Sequence, residues 1–155
     1  MIDPVVRPAS LADADELGRL EGAARLALRD QRGGARWLEE HPAHHPAWVP
    51  GADRRVFVAE LDGWPVGYLV LDLGQVATVE SVYVDPEARE VGFGDALLDE
   101  ARRVAAESGA SLLEGTALPG DRDTKNLYER AGITARSITV SVVLSDPSSS
   151  GPASR

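Results

Sequence analysis

The chain has 155 residues, of which 43% are hydrophobic and 26% charged, as expected for a globular protein of one domain with a substantial core. Its formal charge of −9 argues against nucleic acid as a partner, since phosphates would be repelled. No apolar run reaches the length of a membrane span and the first residues do not resemble a signal peptide, so we expect no membrane association.

Cysteine is absent from the chain. This excludes disulfides, cysteine nucleophiles and thiolate metal sites, and it is consistent with a reducing, cytoplasmic location.

The beginning of the chain predicts a strand followed by a helix. Residues 2–7 form a short apolar segment, which Pro8 ends. Ser10 and Asp13 have the spacing of a capping box, with Asp in place of Glu. Apolar residues then recur at spacings of three and four, so the sequence predicts a helix over residues 11–29.

The stretch from residue 31 to 53 has the least regular pattern. Residues 35–40 predict a short helix, and all three histidines of the protein then follow among alternating prolines: His41, His44 and His45. One interpretation is a metal site. The other, which the prolines and the lack of suitably spaced carboxylates favour, is a Pro-rich surface loop.

Three strands in succession come next. Residues 55–61 and 66–73 flank Asp62-Gly63, a hairpin signal. Residues 76–84 continue this meander as a central strand, rich in β-branched residues and ended by Asp85-Pro86-Glu87.

A helix begins abruptly at two glycines, Gly92 and Gly94. A helix N-terminus presents unpaired N–H groups and a partial positive charge, which suit a phosphate, and glycine allows a ligand close to the backbone. Arg89 is placed to add a charge-assisted contact. A tight turn between strand and helix explains the glycine pair equally well. The dinucleotide fingerprint is excluded because Leu97 stands where its third glycine belongs, and the Walker loop is excluded because no Gly-Lys-Ser/Thr follows.

The last third of the chain predicts a short strand, a short helix and a long strand. Residues 111–117 should lie parallel to the central strand, because a helix connects the two. Residues 124–131 predict a helix ended by Gly132, and residues 133–144 a final strand. The Ser/Pro/Gly-rich residues 145–155 are expected to be disordered. We therefore expect one domain over residues 1–144, of α/β (α+β) class, with a mixed, mainly antiparallel sheet of about six or seven strands and about four flanking helices.

Two motifs in this order resemble those of the GNAT N-acetyltransferase superfamily. Arg89-x-x-Gly92-x-Gly94, behind a strand ending in Val82-Tyr83-Val84-Asp85-Pro86, resembles its acyl-CoA-binding motif. Leu127-Tyr128-Glu129-Arg130-x-Gly132, about 30 residues downstream, is similar to its second CoA-side helix. The resemblance covers roughly residues 56–144 and implies the GNAT fold, acetyl-CoA as co-substrate and no metal. It also implies a primary amine of a small molecule or protein as acceptor.

The resemblance further implies the roles of individual residues. Tyr128 matches a tyrosine near the CoA sulfur that acts as general acid, and a buried core tyrosine is the alternative. Glu80 matches a glutamate that takes the proton of the amine, and an ion pair with Arg54 or Arg55 is the alternative. Alternation along the strand would place Glu80 on the same face as Val82, whose backbone N–H would polarise the thioester. The residues implied to bind the cofactor are Val82, Tyr83, Val84, Arg89, Glu90, Val91, Gly92, Phe93, Gly94, Asp95 and Asn126.

The chain departs from the family pattern in several places. Asp121 stands where asparagine is common. Since it would repel a phosphate, we expect it either to point away or to cap the following helix, while Asn126 supplies the polar contact to CoA instead. The acceptor pocket would come from residues 31–53, with Trp37 and Trp48 either lining it or packing under the loop.

The end of the chain and the function class leave alternatives open. Residues 133–144 lack the turn of the family's closing hairpin, so either they form one long strand or a partner chain supplies the last strand, which makes a homodimer possible. Two other function classes also remain. One is a non-catalytic acyl-CoA-binding or sensor domain on the same fold, and the other is a metal-binding module built on the three histidines.

Overall fold

The computed structural model describes residues 4–44, 51–89, 91–142 and 144. Its strands are β1 (Val5–Pro8), β2 (Arg54–Leu61), β3 (Trp64–Asp72), β4 (Val76–Val84) and β5 (Leu112–Gly115). Its α-helices are α1 (Ala14–Leu28), α2 (Gly34–Glu40), α3 (Phe93–Glu107) and α4 (Arg122–Arg130). Single 3₁₀ turns precede α1 at Leu11–Asp13 and follow β4 at Pro86–Ala88.

The strands form one mixed sheet in the order β1-β2-β3-β4-β5. The first three pairings are antiparallel, whereas β4 and β5 run parallel because α3 crosses between them. The predicted α/β class and the mainly antiparallel sheet with helices are therefore confirmed. The described sheet has five strands rather than six or seven.

Each face of the sheet buries its own apolar cluster. On one face, α3 packs Phe93, Leu97 and Leu98 against Leu69 and Leu71 of β3. On the other face, α1 contributes two leucines to a smaller cluster that also contains side chains of β2 and β3: Leu17, Leu20, Val56, Val58, Tyr68 and Val70. The alternation of β3 supplies both clusters, because successive side chains of a strand point to opposite faces.

An ion network ties the start of the chain to the sheet. Arg7 of β1 donates two hydrogen bonds of 2.8 Å to Asp13 and one of 2.9 Å to Glu60 of β2. The backbone N–H of Ser10 donates to the Asp13 carboxylate at 2.8 Å, which confirms the capping box. Hydrogen bonding to Arg7 lowers the pKa of the buried Asp13 to about 2, so this network is charged throughout the neutral range.

A β-bulge interrupts β4 at Glu80. Val70 pairs with Ser81 and the next residue, Leu71, pairs with Val79, which leaves Glu80 as the extra residue. The expectation that Glu80 shares a face with Val82 by simple alternation is therefore wrong. Val82 packs with the α3-side cluster, as Val79 does, so the bulge shifts the alternation by one residue.

The predicted final strand over residues 133–144 is also wrong for the described residues. No residue from 133 to 142, nor residue 144, has strand structure, and the only part of this segment packed on the core is Ile133. The side chains of Ile138, Val140, Val142 and Leu144 are 77–90% exposed. Alternation of apolar residues makes a strand only where another strand supplies hydrogen-bond partners, and that pairing is not a local property.

Some expectations lie outside the described residues or stay predictions. The Ser/Pro-rich stretch 145–155 and Trp48 are outside them, and the boundary of the domain at residue 144 stays a prediction. No helix in the described ranges combines the length and the apolar character needed to cross a bilayer.

Candidate active site

Gly92 and Gly94 are needed at the start of α3 for different reasons, one conformational and one steric. Gly92 is the N-cap residue with φ +93°, a left-handed conformation that favours glycine. At Gly94, a β-carbon would lie 3.1 Å from Cδ1 of Leu127 in α4. The second glycine of the motif therefore lets α4 dock closely against the first turn of α3.

Two ion pairs hold α4 beside this turn. Arg89 donates to Asp123 of α4 at 3.0 Å and to the carbonyl of Val84 at 2.9 Å. Arg130 of α4 donates to Asp95 at 3.1 Å. The Arg89 guanidinium also lies over the Tyr83 ring, 5.4 Å from its centroid. The structure thus connects both sequence motifs through side chains of each.

The remaining residues predicted to bind the cofactor divide into three groups. Phe93 is buried in the core, whereas Val91 is 40% exposed. Asn126 is exposed on α4 and lines neither of the cavities described below. Glu90 lies outside the described residues.

The pairing of β4 with β5 ends before β4 does. The last parallel pair is Val79 with Gly115, but β4 continues to Val84. The β4 backbone from residue 80 to 84 therefore has an edge that β5 does not cover within the described sheet. Such an edge can form strand-like hydrogen bonds with an extended ligand.

Tyr128 lies at the point where β5 ends. Its side chain is buried, and its hydroxyl is packed so closely on Gly115 that any β-carbon there would overlap it. It borders a cavity of about 60 Å³ at the β4–β5 gap, lined also by Val79, Glu80, Val82, Thr116, Ala117, Leu118, Asp121, Thr124, Leu28, Trp37 and Ser81. We call this space the thioester cavity, after the position near the CoA sulfur that the sequence resemblance implies for Tyr128.

The surroundings of Tyr128 keep its proton in place. Burial, with a smaller contribution from the negative charge of Asp121, raises the pKa of Tyr128 well above its ordinary value. Asp121 caps α4, which is one of the two placements expected above, since its carboxylate accepts hydrogen bonds from the N–H of Thr124 at 3.2 Å and from its hydroxyl at 2.7 Å. At neutral pH the phenol of Tyr128 is therefore protonated.

Glu80 is half-buried and borders two cavities, the thioester cavity and a larger one on the α1 side of the sheet. Burial raises the pKa of Glu80 above its ordinary value. Asp72 raises it further, through its negative charge and through a hydrogen bond. The alternative of an ion pair with arginine fits the structure less well. Arg54 donates a bidentate pair of hydrogen bonds to the Asp72 carboxylate, at 2.7 and 2.9 Å. Arg55 donates to the carbonyls of Gly51 and Ala52.

The larger cavity has a volume of about 190 Å³. We call it the acceptor cavity. It is lined by side chains of α1, α2, β3, β4 and the loop after α2: Glu21, Ala24, Arg25, Leu28, Trp37, Glu40, His41, Pro42, His44, Tyr68, Glu80 and Ser81. The hydroxyl groups of Tyr68 and Ser81 are hydrogen bonded at 2.8 Å. Trp37 lines this cavity, which is one of the two placements considered above, and the His41 ring stacks on the Trp37 ring with centroids 4.3 Å apart.

The described histidines do not support a metal site. His41 Nδ1 bonds the carbonyl of Trp37 at 2.9 Å, whereas His44 Nδ1 bonds the carboxylate of Glu21 at 2.6 Å. No group of three ligand-type side chains suited to a metal occurs among the residues that the structure describes, and His45 lies outside them.

Several residues of the site were missed by sequence reasoning. Gly115, Asp72 and Tyr68 occupy ordinary strand positions with no motif around them. Glu21 did leave a signal, because it lies beside Leu20 on the apolar stripe of α1, where a charged side chain is rare. A buried carboxylate in such a stripe usually has a specific partner.

The comparison with family models decides the classification. Residues 20–133 match the model of the acetyltransferase (GNAT) family. The chain belongs to this family. A curated relative, an uncharacterised N-acetyltransferase of Methanocaldococcus jannaschii, is 28% identical over an alignment of 90 residues, and the match covers 53% of this chain and 40% of that protein. The chain thus matches less than half of the length of that relative.

Solved structures share the fold of this GNAT chain at low sequence identity. A ribosomal-protein-alanine N-acetyltransferase from Brucella melitensis biovar Abortus 2308 has a TM-score of 0.66 and 24% identity, over 94% of this chain and 100% of that one. A protein from Bacillus halodurans has a TM-score of 0.75 and 18% identity, over 90% of this chain and 99% of that one. An aminoglycoside acetyltransferase from an uncultured soil metagenomic sample has a TM-score of 0.65 and 17% identity, over 92% of this chain and 95% of that one.

Replacing Gly115 with alanine is expected to displace the Tyr128 ring, because the new β-carbon would overlap its hydroxyl. We expect a loss of roughly 1–3 kcal/mol in the free energy of unfolding, the usual cost of overpacking, measured by chemical denaturation. In a Tyr128→Ala background the same substitution should cost less, since the overlapped group is gone. Gly22→Ala is the matched control and should be neutral or stabilising, since its β-carbon meets nothing within 4 Å. Equal costs of Gly115→Ala in both backgrounds would contradict the proposed contact.

Proposed function

We propose that the protein is an N-acetyltransferase that transfers an acetyl group from acetyl-CoA to a primary amine by direct attack. The observation that carries this proposal is the position of Glu80. It borders both the thioester cavity, which contains Tyr128, and the acceptor cavity. A base at this junction can act on an amine that enters from one side and attacks a carbonyl on the other.

The donor side of the proposal rests on the start of α3 and on the open edge of β4. The N–H groups at Gly92 and in the first turn of α3 would hold the CoA pyrophosphate. The pantetheine arm would run along the β4 backbone of Val82, Tyr83 and Val84. Arg89 would exchange Asp123 for a phosphate, which costs little because Asp123 is 75% exposed and such pairs are weak.

The proposed reaction needs one base, one oxyanion donor and one acid. Glu80 takes a proton from the ammonium group, and the neutral amine attacks the thioester carbonyl, whose oxygen accepts a hydrogen bond from the N–H of Val82. As the C–S bond breaks, Tyr128 donates its proton to the leaving thiolate and recovers one from the attacking nitrogen. The products are the acetylated amine and CoA, with one proton released to solvent.

The acceptor is proposed only as a class. The relatives in the comparison are named for a ribosomal-protein alanine and for aminoglycosides, and both kinds of acceptor present amines. Two acidic side chains that line the acceptor cavity, Glu40 and Glu80, favour a cationic group there.

Acetyl-CoA should bind to the protein in isothermal titration, and amines should release free thiol in its presence. Tyr128→Phe should bind acetyl-CoA as well as the natural chain does, but turn over about a hundredfold more slowly, because a general acid typically contributes that much. Binding without thiol release from any amine would favour the non-catalytic sensor instead. If the protein does not bind acetyl-CoA at millimolar concentration, both the acetyltransferase and the sensor hypotheses are wrong.

The pH profile of kcat/KM should shift in an Asp72→Asn variant. Asp72 raises the pKa of Glu80, and a base loses activity as the pH falls through its pKa. Without the Asp72 charge the pKa of Glu80 falls, so the acidic limb should move to lower pH. Asp62→Asn, in the β2–β3 turn and outside both cavities, is the control and should leave the limb in place. An unmoved limb in Asp72→Asn would argue against Glu80 as the base.

The proposal includes a homodimer formed through residues 134–144. Four exposed apolar side chains recur there at every second position, which would place them on one face of a strand. β5 is the end strand of the described sheet, and its Leu112 is 51% exposed. A strand edge of this kind accepts a further strand, which we assign to a second copy of the chain.

Val140→Lys should convert the dimer into a monomer, because it places a charge on the apolar face of the added strand. The measurement is light scattering coupled to size-exclusion chromatography. Ser141→Lys is the matched control, since the neighbouring residue would point to the opposite face, and it should remain a dimer. A monomeric natural chain, or equal behaviour of the two variants, would contradict this interface.

A further inference from the structure

Three apolar side chains beside the thioester cavity belong to neither of the two clusters that form the core. Leu28 ends α1, Trp37 lies in α2 and Leu118 lies between β5 and α4, and each is half-buried. All three line the thioester cavity, and Leu28 and Trp37 also line the acceptor cavity. Apolar side chains in this situation are typical of a binding site for an apolar group. We call these three residues the apolar wall.

The turn that connects α1 and α2 holds two members of the apolar wall in place. The N–H of Gln31 donates to the carbonyl of Leu28 at 3.0 Å, and the N–H of Gly34 donates to the carbonyl of Gln31 at 2.8 Å. Gly34 is buried, and a β-carbon there would overlap the carbonyl oxygen of Leu28. The start of α2 therefore packs directly on the last turn of α1. This close contact fixes the backbone that carries Leu28 and Trp37.

The loop between β5 and α4 packs against the same turn. A β-carbon at Gly33 would lie 3.9 Å from Cδ2 of Leu118, and one at Gly120 would overlap Oε1 of Gln31. The carbonyl of Leu118 also accepts a hydrogen bond of 2.9 Å from the N–H of Asp121, the cap of α4. The three side chains of the apolar wall thus come from two segments that are in contact with each other.

The thioester cavity has room for a short acyl group only. Its volume is about 60 Å³, whereas an apolar cavity that holds benzene measures about 150 Å³. The other apolar side chains of its lining, Val79, Val82 and Ala117, pack with the α3-side cluster and are held by the core. An acetyl group has only a carbonyl and a methyl to place in this space. A longer chain would meet the apolar wall.

We infer that the apolar wall limits the acyl group of the donor to acetyl and propionyl and excludes butyryl and longer chains. The inference rests on the proposed transfer, in which the thioester carbonyl lies near the N–H of Val82 and the acyl chain extends into the cavity. The bonds that form and break are those of that reaction, and only the length of the acyl group differs.

The apolar wall also separates the two substrates. Leu28 and Trp37 line both cavities, so an acyl chain that moved past them would occupy space in the acceptor cavity. The amine enters from that cavity in the proposed reaction. A longer acyl group is therefore disfavoured both because it lacks room and because it competes with the acceptor.

The test compares acetyl-, propionyl- and butyryl-CoA as donors to one amine, with kcat/KM measured by thiol release. In the natural chain kcat/KM should fall tenfold or more from acetyl to butyryl, because one methylene in a hydrophobic pocket changes it by roughly 10- to 200-fold. Leu28→Ala should reduce this preference about tenfold or reverse it. The ratio between donors does not depend on the folded fraction of a variant, since every donor meets the same folded molecules.

Two other variants and a control locate the effect. Leu118→Ala widens the thioester cavity alone, so it should reduce the preference while leaving the KM of the amine unchanged. Leu28→Ala should alter that KM as well, because Leu28 lines both cavities. Leu28→Val should act in the same direction with a smaller effect, and it replaces Leu28→Ala if that variant does not fold. Leu26→Ala is the matched control and should keep the natural ratio, since Leu26 is 61% exposed on the same helix and lines neither cavity.

Isothermal titration with the same three acyl-CoAs separates this inference from the proposed function, because an acyl group that does not fit also binds less tightly. A natural chain that binds none of them overturns both. A natural chain that binds them with the expected preference but releases no thiol overturns only the proposed transfer.

The remaining outcomes concern the apolar wall alone. Equal kcat/KM for acetyl- and butyryl-CoA in the natural chain overturns its role, and so does an unchanged ratio in both Leu28→Ala and Leu118→Ala. A reduced preference for acetyl-CoA in both variants, with Leu26→Ala like the natural chain, supports it.

Discussion

The candidate site depends on one interruption in the sheet, the end of pairing between β4 and β5. The ladder stops at Val79 and Gly115, while β4 continues to Val84. The next residue of β4 is Glu80, which the bulge leaves without a cross-strand partner in β3. Tyr128 packs on Gly115 at the same point. An open backbone edge, a phenol and a carboxylate are thus brought together by the geometry of two strands that separate.

Burial acts on the two titratable groups in the same direction but with opposite chemical consequences. It is the main cause of the raised pKa of both Tyr128 and Glu80, and a nearby carboxylate adds to it in each case. For a phenol, a raised pKa keeps the group protonated at neutral pH and makes it a weaker acid. For a carboxylate, it brings the pKa closer to neutrality and strengthens the group as a base. The neighbouring carboxylates are themselves held in place, Asp121 by Thr124 and Asp72 by Arg54.

Features that depend on neighbouring residues in the chain could be predicted from the sequence. The capping box at Ser10, the hairpin at Asp62-Gly63, the start of α3 at Gly92 and the cap at Asp121 all agree with the structure. Predictions that assumed regular alternation failed. Glu80 does not share a face with Val82, because the bulge adds one residue. Residues 133–142 pair with no strand of the described sheet.

The sequence by itself was enough to predict the family, because the glycine turn before α3 and the Leu-Tyr-Glu-Arg segment of α4 are each contiguous. Only the tertiary structure decided which residues line the larger cavity. Glu21, His44, Tyr68 and Ser81 are far apart in the chain and meet because α1 packs on the face of the sheet opposite α3. Which side chain enters that cavity depends on the register of β3 and β4, and the register shifts at a bulge for which no local pattern was recognised.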